Sequence, residues 1–555
     1  QEKGISTYFS ANCEEADAEL AARFMESLKF SPYNTRLFKD GEGAYTVLLA
    51  SATACPGEDP VGKLCREHDF DGHKFTVRRG DFAPLMARVV AGLQKALPHA
   101  ANEMQTAMIE KYIECFDLGS MAAHMDGSRH WIKDKGPAVE SYIGFIESYR
   151  DPSGVRGEWE GFVACVNREV SKKFQALVEQ AEALLKKMPW PREFEKDTFL
   201  RPDFTSLDVL AFGSSGVPAG INIPNYDDIR QSEGFKNVSL GNVLAASYGT
   251  KSPKPISFLA EEDQEMYKKL QPEAFEVQVG VHELLGHGSG KLFTADEADA
   301  TLAAIQDPLT GKPVAGPFYS GGTTWDTTFG KIASTYEECR AESCGIYLCL
   351  EPEVLAVFGH AIEDPEVLPD VAYINWLHMA RAGLLGLEFF TPETGGWRQA
   401  HMQARYVIMR VLLEAGAGLL ELRRVTGTDG APDVQVLMDR SKIRTVGKEA
   451  IGRFLMRLQV HKSLGDFAAG SAMYEGYSAV PEEMLAFRAI VMARKEPRKL
   501  LVQPHMSVGE DGKVQLQAFD ASPVGMIESF VARYPAQDDE MLALYEAEKS
   551  VHLTA

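Results

Sequence analysis

Two imidazoles and a carboxylate sit together in His282-Glu283-Leu284-Leu285-Gly286-His287, and about fifty positions later comes a run rich in acids, Tyr336-Glu337-Glu338-Cys339-Arg340-Ala341-Glu342. Two histidine nitrogens and one glutamate oxygen are the ligands of a hydrolytic zinc site that keeps its last position open for water. His282, His287 and Glu338 supply that set for one Zn2+ per chain. Glu283 lies beside the first histidine but off the ligand face, where a general base would take the proton of the attacking water. Hydrolysis by activated water is the chemistry these residue types allow.

The elements that carry these residues must bring them to one point. His282 and His287 are five positions apart, which on an ideal α-helix leaves the two rings roughly 140° from each other. A single wider π turn would absorb the extra residue, and Gly286 is the expected place for it, since a missing side chain lets backbone deform. Phe275, Val277, Val279 and Val281 alternate like a strand, yet ligand geometry asks for a helix, with Gln271-Pro272-Glu273 as its start signal. In the second segment Glu338 and Glu342 share a helical face while Glu337 points about 100° away. One carboxylate can then hold metal while Glu337 and Glu342 orient the histidines. Solvated amphipathic helices also carry histidines and glutamates; the conjunction of an adjacent Glu, an odd gap with Gly and an acid cluster in apolar surroundings favours the metal reading.

Composition bounds the rest. A chain of 555 residues with 45% hydrophobic content can bury sizeable cores, and at roughly 150 residues per domain it suggests two to four units. The net charge of -22 argues against nucleic acid or an anionic membrane surface as partner and favours cationic ligands such as a protonated peptide amino end. Cys13, Cys55, Cys65, Cys115, Cys165, Cys339, Cys344 and Cys349 form no CxxC pair and read as reduced thiols, so a cytoplasmic location is expected. The apolar run from Tyr406 to Leu420 contains Arg410 and Glu414 and reads as a buried helix, not a membrane span. The chain begins with Gln1, so upstream sequence, with any targeting segment, is expected to be missing.

Along the chain, residues 1–160 mix a helix near Asp17–Leu28, strands at Ala44–Ala52 and Lys74–Arg79, and helices from Pro84 to Met121. From Phe162, the positions Val163, Val166, Val170, Phe174, Leu177, Ala181 and Leu184 follow helical spacing. Leu207 to Asn225 reads as strands and turns. Helical patterns dominate 251–497, including Asp364–Phe389, Gln399–Leu422, Val446–Leu464 and Pro481–Lys495, and strands return at Leu500–Gln503 and Lys513–Phe519. Pro224 suggests an edge strand, to which a peptide could add through main-chain hydrogen bonds.

The pair HELLGH and EECRAE resembles the signature of the dipeptidyl peptidase III family, zinc exopeptidases. Ser141-Tyr142-Ile143-Gly144-Phe145-Ile146-Glu147-Ser148-Tyr149-Arg150-Asp151, Ile221-Asn222-Ile223-Pro224-Asn225-Tyr226-Asp227-Asp228 and Gln399-Ala400-His401-Met402-Gln403-Ala404-Arg405 extend the likeness over nearly the whole chain. The resemblance implies an α+β fold in two lobes around a wide cleft. A mixed lower lobe with a small β-barrel would use 1–160, 207–250 and 498–555, and a helical upper lobe with the metal would use 161–206 and 251–497. It further implies a monomer that releases dipeptides from the free amino end of short peptides. Of the site residues, it implies His401 and then Tyr142 as groups stabilising the developing oxyanion; Glu140, Asn222 and Asn225 as holders of the substrate ammonium and early backbone; and Arg230, Arg498 and Lys499 as groups reaching toward the far carboxylate. Asp326 and Arg405 are expected behind the ligands with Glu337 and Glu342. Some animal members carry a Glu-Thr-Gly-Glu loop that docks onto a ubiquitin-ligase adaptor; here the region reads Pro308-Leu309-Thr310-Gly311-Lys312-Pro313, so no such docking is expected. The same centre would also suit an endo-acting oligopeptidase, and a non-catalytic peptide binder is the third reading.

Overall fold

Period-two and helical patterns sort the chain into three cores, described by a computed structural model for residues 6–40, 43–54, 63–248, 255–296, 302–320, 322–362, 364, 367–496 and 501–553. Arg498, Lys499 and Cys55 lie outside the described residues. In the first core, α1 (Glu15–Ser27) covers a sheet of β1 (Thr35–Lys39), β2 (Ala44–Ala50), β3 (Glu67–Phe70) and β4 (His73–Asp81), ordered β1-β2-β4-β3, with Phe24, Val47 and Phe75 buried between.

The second core joins α2 (Ala83–Ala96), α3 (Glu103–Leu118) and α4 (Met121–Lys133) to a sheet of β5 (Val139–Glu147), β6 (Glu158–Asn167), β7 (Asp203–Gly213), β8 (Gly220–Ile223) and β9 (Lys236–Leu240). Its strand order is β5-β6-β7-β9-β8. Register shifts between Phe145 and Glu147 and between Val163 and Ala164 bend the strands, and the sheet curls as a half-barrel. This half-barrel is the small β-barrel expected of the lower lobe; β5 and β8 are its edges, and β8, ending just before Pro224, faces the cleft. Residues 501–553 pack back onto this side: Gln503 exchanges hydrogen bonds of 2.9 and 3.0 Å with the Phe212 backbone, and Glu548 pairs with Arg36 at 2.6 Å.

The third core is helical: α5 (Arg168–Leu185), α6 (Gln264–Val281), α7 (Ala333–Leu348), α8 (Asp370–Gly386), α9 (Ala400–Glu414) and α10 (Lys448–Leu464). Helix α7 is buried except at Ser334, Glu337 and Tyr347. A helix enclosed on all sides needs no amphipathic stripe, so its polar residues must be satisfied from within the lobe. The whole is an α+β fold with two lobes, the first two cores forming the lower one.

Four expectations need correcting. Val163 and Val166 belong to strand β6, where inward and outward side chains alternate, and helix α5 starts only after the Asn167 cap. The expected lobe boundary at 160 therefore falls inside a strand. Helix α6 begins at Gln264, which leaves Pro272 in its interior and not at its start. The helix expected over Gln399–Leu422 stops at Glu414, because Gly416 and Gly418 take positive φ of 70° each; Leu420–Thr426 then pairs with Pro432–Met438 as a hairpin. Of the strand expected at Leu500–Gln503, Leu500 lies outside the described residues and 501–503 are not in a strand; the late strand is His505–Val508.

Candidate active site

At the end of α6 the backbone widens into one π turn over His282–Gly286, closed by a hydrogen bond from the His287 amide to the His282 carbonyl at 3.0 Å. This turn brings the two rings together: their Nε2 atoms are 3.1 Å apart. Gly286 serves close packing here. A Cβ on it would lie 2.7 Å from Ala341 Cα, so the π turn and α7 cross backbone to backbone. That contact delivers Glu338, whose Oε2 is 3.3 Å from His282 Nε2 and 3.7 Å from His287 Nε2.

These three atoms fit a tetrahedral cation. Metal–ligand bonds of roughly 2.0–2.1 Å imply ligand–ligand edges of about 3.3 Å. Glu338 Oε2 is also a buried oxygen without a hydrogen-bond partner, a costly state for a carboxylate unless a cation completes it. The ring nitrogens facing away are held by other acids. His282 Nδ1 lies 3.5 Å from Glu342 and His287 Nδ1 lies 3.2 Å from Glu337. Each carboxylate thus fixes a proton on Nδ1 and leaves the Nε2 lone pair free for metal.

Cations back those carboxylates. Arg405 Nε donates to Glu342 Oε1 at 2.6 Å and Gln278 to its Oε2 at 2.7 Å. Arg340 and Lys462 pair with Glu337. Burial alone would raise these acids, yet Arg405 with His282 and Gln278 holds Glu342 well below the carboxylate range, and Arg340 with Lys462 and His287 does so for Glu337. Glu338 is likewise depressed against its burial, by His401 and then by the two histidines beside it.

Glu283 has no such backing. Burial, against His282 and with Glu338 and Glu147 nearby, pushes it up to about 8. Its carboxylate lies against strand β8, where a Cβ on Gly220 would be 2.6 Å from Oε1. The lobes meet at this point: Asn222 Nδ2 donates to the Glu283 carbonyl at 2.9 Å, and Arg230 holds the carbonyls of Asn222 and Pro224 at 3.1 Å each and that of His287 at 3.4 Å.

Two groups on the cleft side reach Glu338. Tyr149, just past β5, donates its hydroxyl to Oε1 at 2.9 Å, and His401 Nε2, on the first turn of α9, comes within 3.2 Å of Oε2. Gln399 Nε2 sits 3.2 Å from His401 Nδ1, which leaves the proton on Nε2, pointing at the centre. Around this point opens a cleft of about 1880 Å³ that includes Glu147, Glu160, Asn222, Asn225, Arg230, Asp326 and Gln399.

The profile of peptidase family M49 matches residues 1–534. This chain belongs to that family. It is 56% identical over 552 residues to dipeptidyl peptidase 3 of Rattus norvegicus, an alignment covering 97% of this chain and 74% of the relative. To the protein of that name from Dictyostelium discoideum it is 49% identical over 549 residues, covering 97% and 76%. Two solved structures share the fold: DPP III from Caldithrix abyssi, at 18% identity and TM-score 0.57 over 87% of this chain and 78% of that one, and dipeptidyl-peptidase III from Corallococcus, at 17% and 0.59 over 86% and 75%.

In this M49 chain two expected site residues are not brought to the cleft. Glu140 is 2% exposed, pairs with Lys236 at 2.9 Å and accepts from the Trp131 indole at 2.6 Å; it is a core ion pair of the lower lobe. Tyr142 is 1% exposed and spends its hydroxyl on Ser128 Oγ at 2.8 Å among Tyr112, His124 and Trp131. Both point inward from β5, as period two requires. Seven residues on, the tripeptide Glu-Ser-Tyr recurs as Glu147-Ser148-Tyr149, and this copy lines the cleft. The turn-forming Arg150-Asp151-Pro152-Ser153-Gly154 that follows was the available signal, since loops leaving a strand end carry function more often than strand interiors. Asn225 Nδ2 reaches Glu147 Oε2 at 3.3 Å. Asp326 lies in the cleft wall, where burial and then Asp227 push it up to about 7.

Proposed function

We propose that this chain is a zinc-dependent dipeptidyl exopeptidase acting on short peptides with a free amino end. The observation that carries the reading is the meeting of His282 Nε2, His287 Nε2 and the partnerless Glu338 Oε2 beside a raised, cleft-facing Glu283. His282, His287 and Glu338 would hold the ion, which supplies the Lewis acidity that makes water a nucleophile near neutral pH. Glu283 takes the proton of the attacking water and passes it to the leaving amine; an acid raised toward neutrality suits both halves of that task. Tyr149 Oη and His401 Nε2, both aimed at Glu338, donate to the carbonyl oxygen as its charge grows. The roles given by resemblance to Tyr142 and Glu140 pass to Tyr149 and Glu147, which reach the cleft.

Strand β8 is an open edge, so a peptide laid along it is read through its main chain, and side chains matter little. Glu147 with Asn225 would receive the ammonium at the end of that edge, which sets where the chain is cut. Arg230 is committed to three carbonyls and acts by tying β8 to the metal turn. The names of the relatives support release of dipeptides.

The test is a pool of matched peptides, free and N-acetylated, with products read by mass, on wild type and Glu283→Gln. Dipeptides should arise only from the free members, and the variant should lose turnover by about 10³-fold or more while keeping its metal. Cleavage of the acetylated members would establish the endo-acting alternative, and loss of metal from the variant would remove Glu283 from the role of base.

A further inference from the structure

Behind the metal turn, the cleft wall presents an ammonium that has no acid partner among the described residues. Lys196 lines the cleft, and among the described residues its Nζ makes no hydrogen bond or ion pair. The acids that could have neutralised it are taken. Neighbouring Glu195, 5% exposed, accepts from the Lys196 and Gly290 amides at 2.8 Å each and from the Trp190 indole at 3.1 Å. Glu337, behind the histidines, is shared by Arg340, Lys462 and His287.

What Lys196 does touch is aromatic. Its Nζ stands 5.7 Å from the centre of the Phe235 ring, and the guanidinium of Arg230 stands 5.2 Å from the same centre. A ring with a cation near it is a holding device for the stem, not a counter-charge. Arg230 has three of its donors held by main-chain carbonyls, whereas the Lys196 ammonium has no such bond among the described residues. The Gly290 bond fixes the lysine loop to the stretch of chain that follows His287. Burial and then Arg230 pull its pKa down to about 7. A lone cation kept half-buried in a cleft wall is held against its own solvation, which marks it as a place for a ligand charge.

We propose that Lys196 is a carboxylate-receiving subsite of the cleft, which gives the enzyme a preference for peptides that bring a carboxylate to this wall. The inference rests on the peptidase reading above. The chemistry shared by every candidate ligand is a peptide carboxylate, from an acidic side chain on one of the two residues to be released or from the free carboxyl end of a short peptide.

Four peptides of one length separate the cases: neutral and C-terminally amidated; amidated with Glu at the first position; amidated with Glu at the second; and neutral with a free carboxyl end. Each is assayed with wild type, Lys196→Met and Lys196→Arg. Wild-type turnover of the neutral amidated peptide tests the peptidase reading by itself and controls for folding of the variants. The expected result is a loss of about 10-fold or more in kcat/KM for Lys196→Met with one carboxylate peptide, carried by KM, with the neutral amide unchanged and Lys196→Arg restoring the difference. Which peptide shows it names the source of the carboxylate. An equal loss on all four, or no loss on any, overturns the proposal while leaving the peptidase reading standing.

Discussion

The carboxylates around the cleft fall into two groups that differ in what stands behind them. On the metal wall, Glu338 and Glu342 are buried and Glu337 half-buried, and all three are nonetheless held below the ordinary range, because Arg340, Lys462, Arg405 and the histidines face them. On the facing wall, Glu147 is half-buried and Glu160 buried with less support: burial and then Glu338 push Glu147 up to about 7 against Asn225 and Arg230, and burial and then Glu147 push Glu160 up to about 9. Burial is common to both groups, so burial does not decide the charge; the second layer does. The first group is a fixed anionic frame suited to a permanent cation. The second gains or loses protons near neutrality and is suited to a cation that arrives and leaves, such as a substrate ammonium. Glu283 sits at the seam, on the metal wall by sequence but unsupported like the facing wall, as a proton carrier must be.

The comparison breaks most visibly at Glu338. Glu338→Gln removes the one oxygen on which three imidazoles converge, so metal content should fall well below one per chain and activity should drop by several orders of magnitude. Metal analysis beside peptide turnover reads this directly. A variant retaining stoichiometric metal would mean that the cation is held elsewhere and that the frame has another purpose.

A smaller effect distinguishes the two Glu-Ser-Tyr copies. Tyr149→Phe should keep its metal and lose about 10²–10³-fold in kcat, since one donor to the developing oxyanion is gone. Tyr142→Phe deletes only the bond to Ser128 inside the lower core, so about 1 kcal/mol of stability should go with kcat unmoved. Thermal melts and steady-state kinetics on both variants test the assignment; the reverse pattern would return Tyr142 to the site.

These two tyrosines also show how far sequence reaches. The metal wall is written locally in two segments: His282 and His287 lie within two helical turns of each other, Glu338 sits with Glu337 and Glu342 on a second helix, and the odd spacing of the histidines demands a π turn, which forms. The facing wall depends on where a strand ends. Glu140 and Glu147 begin identical tripeptides, and nothing in their residue types tells which copy enters the core; the bulge at Phe145 and Glu147 and the turn beyond it decide. The same limit explains β6, where Val163 and Val166 satisfy a helical count while pairing with β5 and β7 fixes them in a strand. Lys196 carried no motif at all. Its meaning comes from partners being absent, and that is a property of packing, not of order along the chain.

The subtlest expected effect is a pH dependence on the facing wall, read on metal-free protein. The carboxyl of Glu147 has an ordinary pKa of 4.5 and stands at about 7 in the fold, raised by burial and then by Glu338. Between those values the folded chain keeps a proton that the unfolded chain has released. Stability therefore falls as pH rises through this window, with no penalty below it and the whole penalty above. Glu147→Gln carries no titrating group, so its melting temperature relative to wild type should be constant below pH 4.5, climb between 4.5 and 7, and level off beyond. Binding should show the opposite slope: the affinity of the metal-free wild type for a free-amino peptide, read by calorimetry, improves as Glu147 ionises through pH 7, while the variant stays weak throughout. A flat difference in melting temperature across the range would mean that Glu147 is already ionised and that the facing wall, like the metal wall, is a fixed charge.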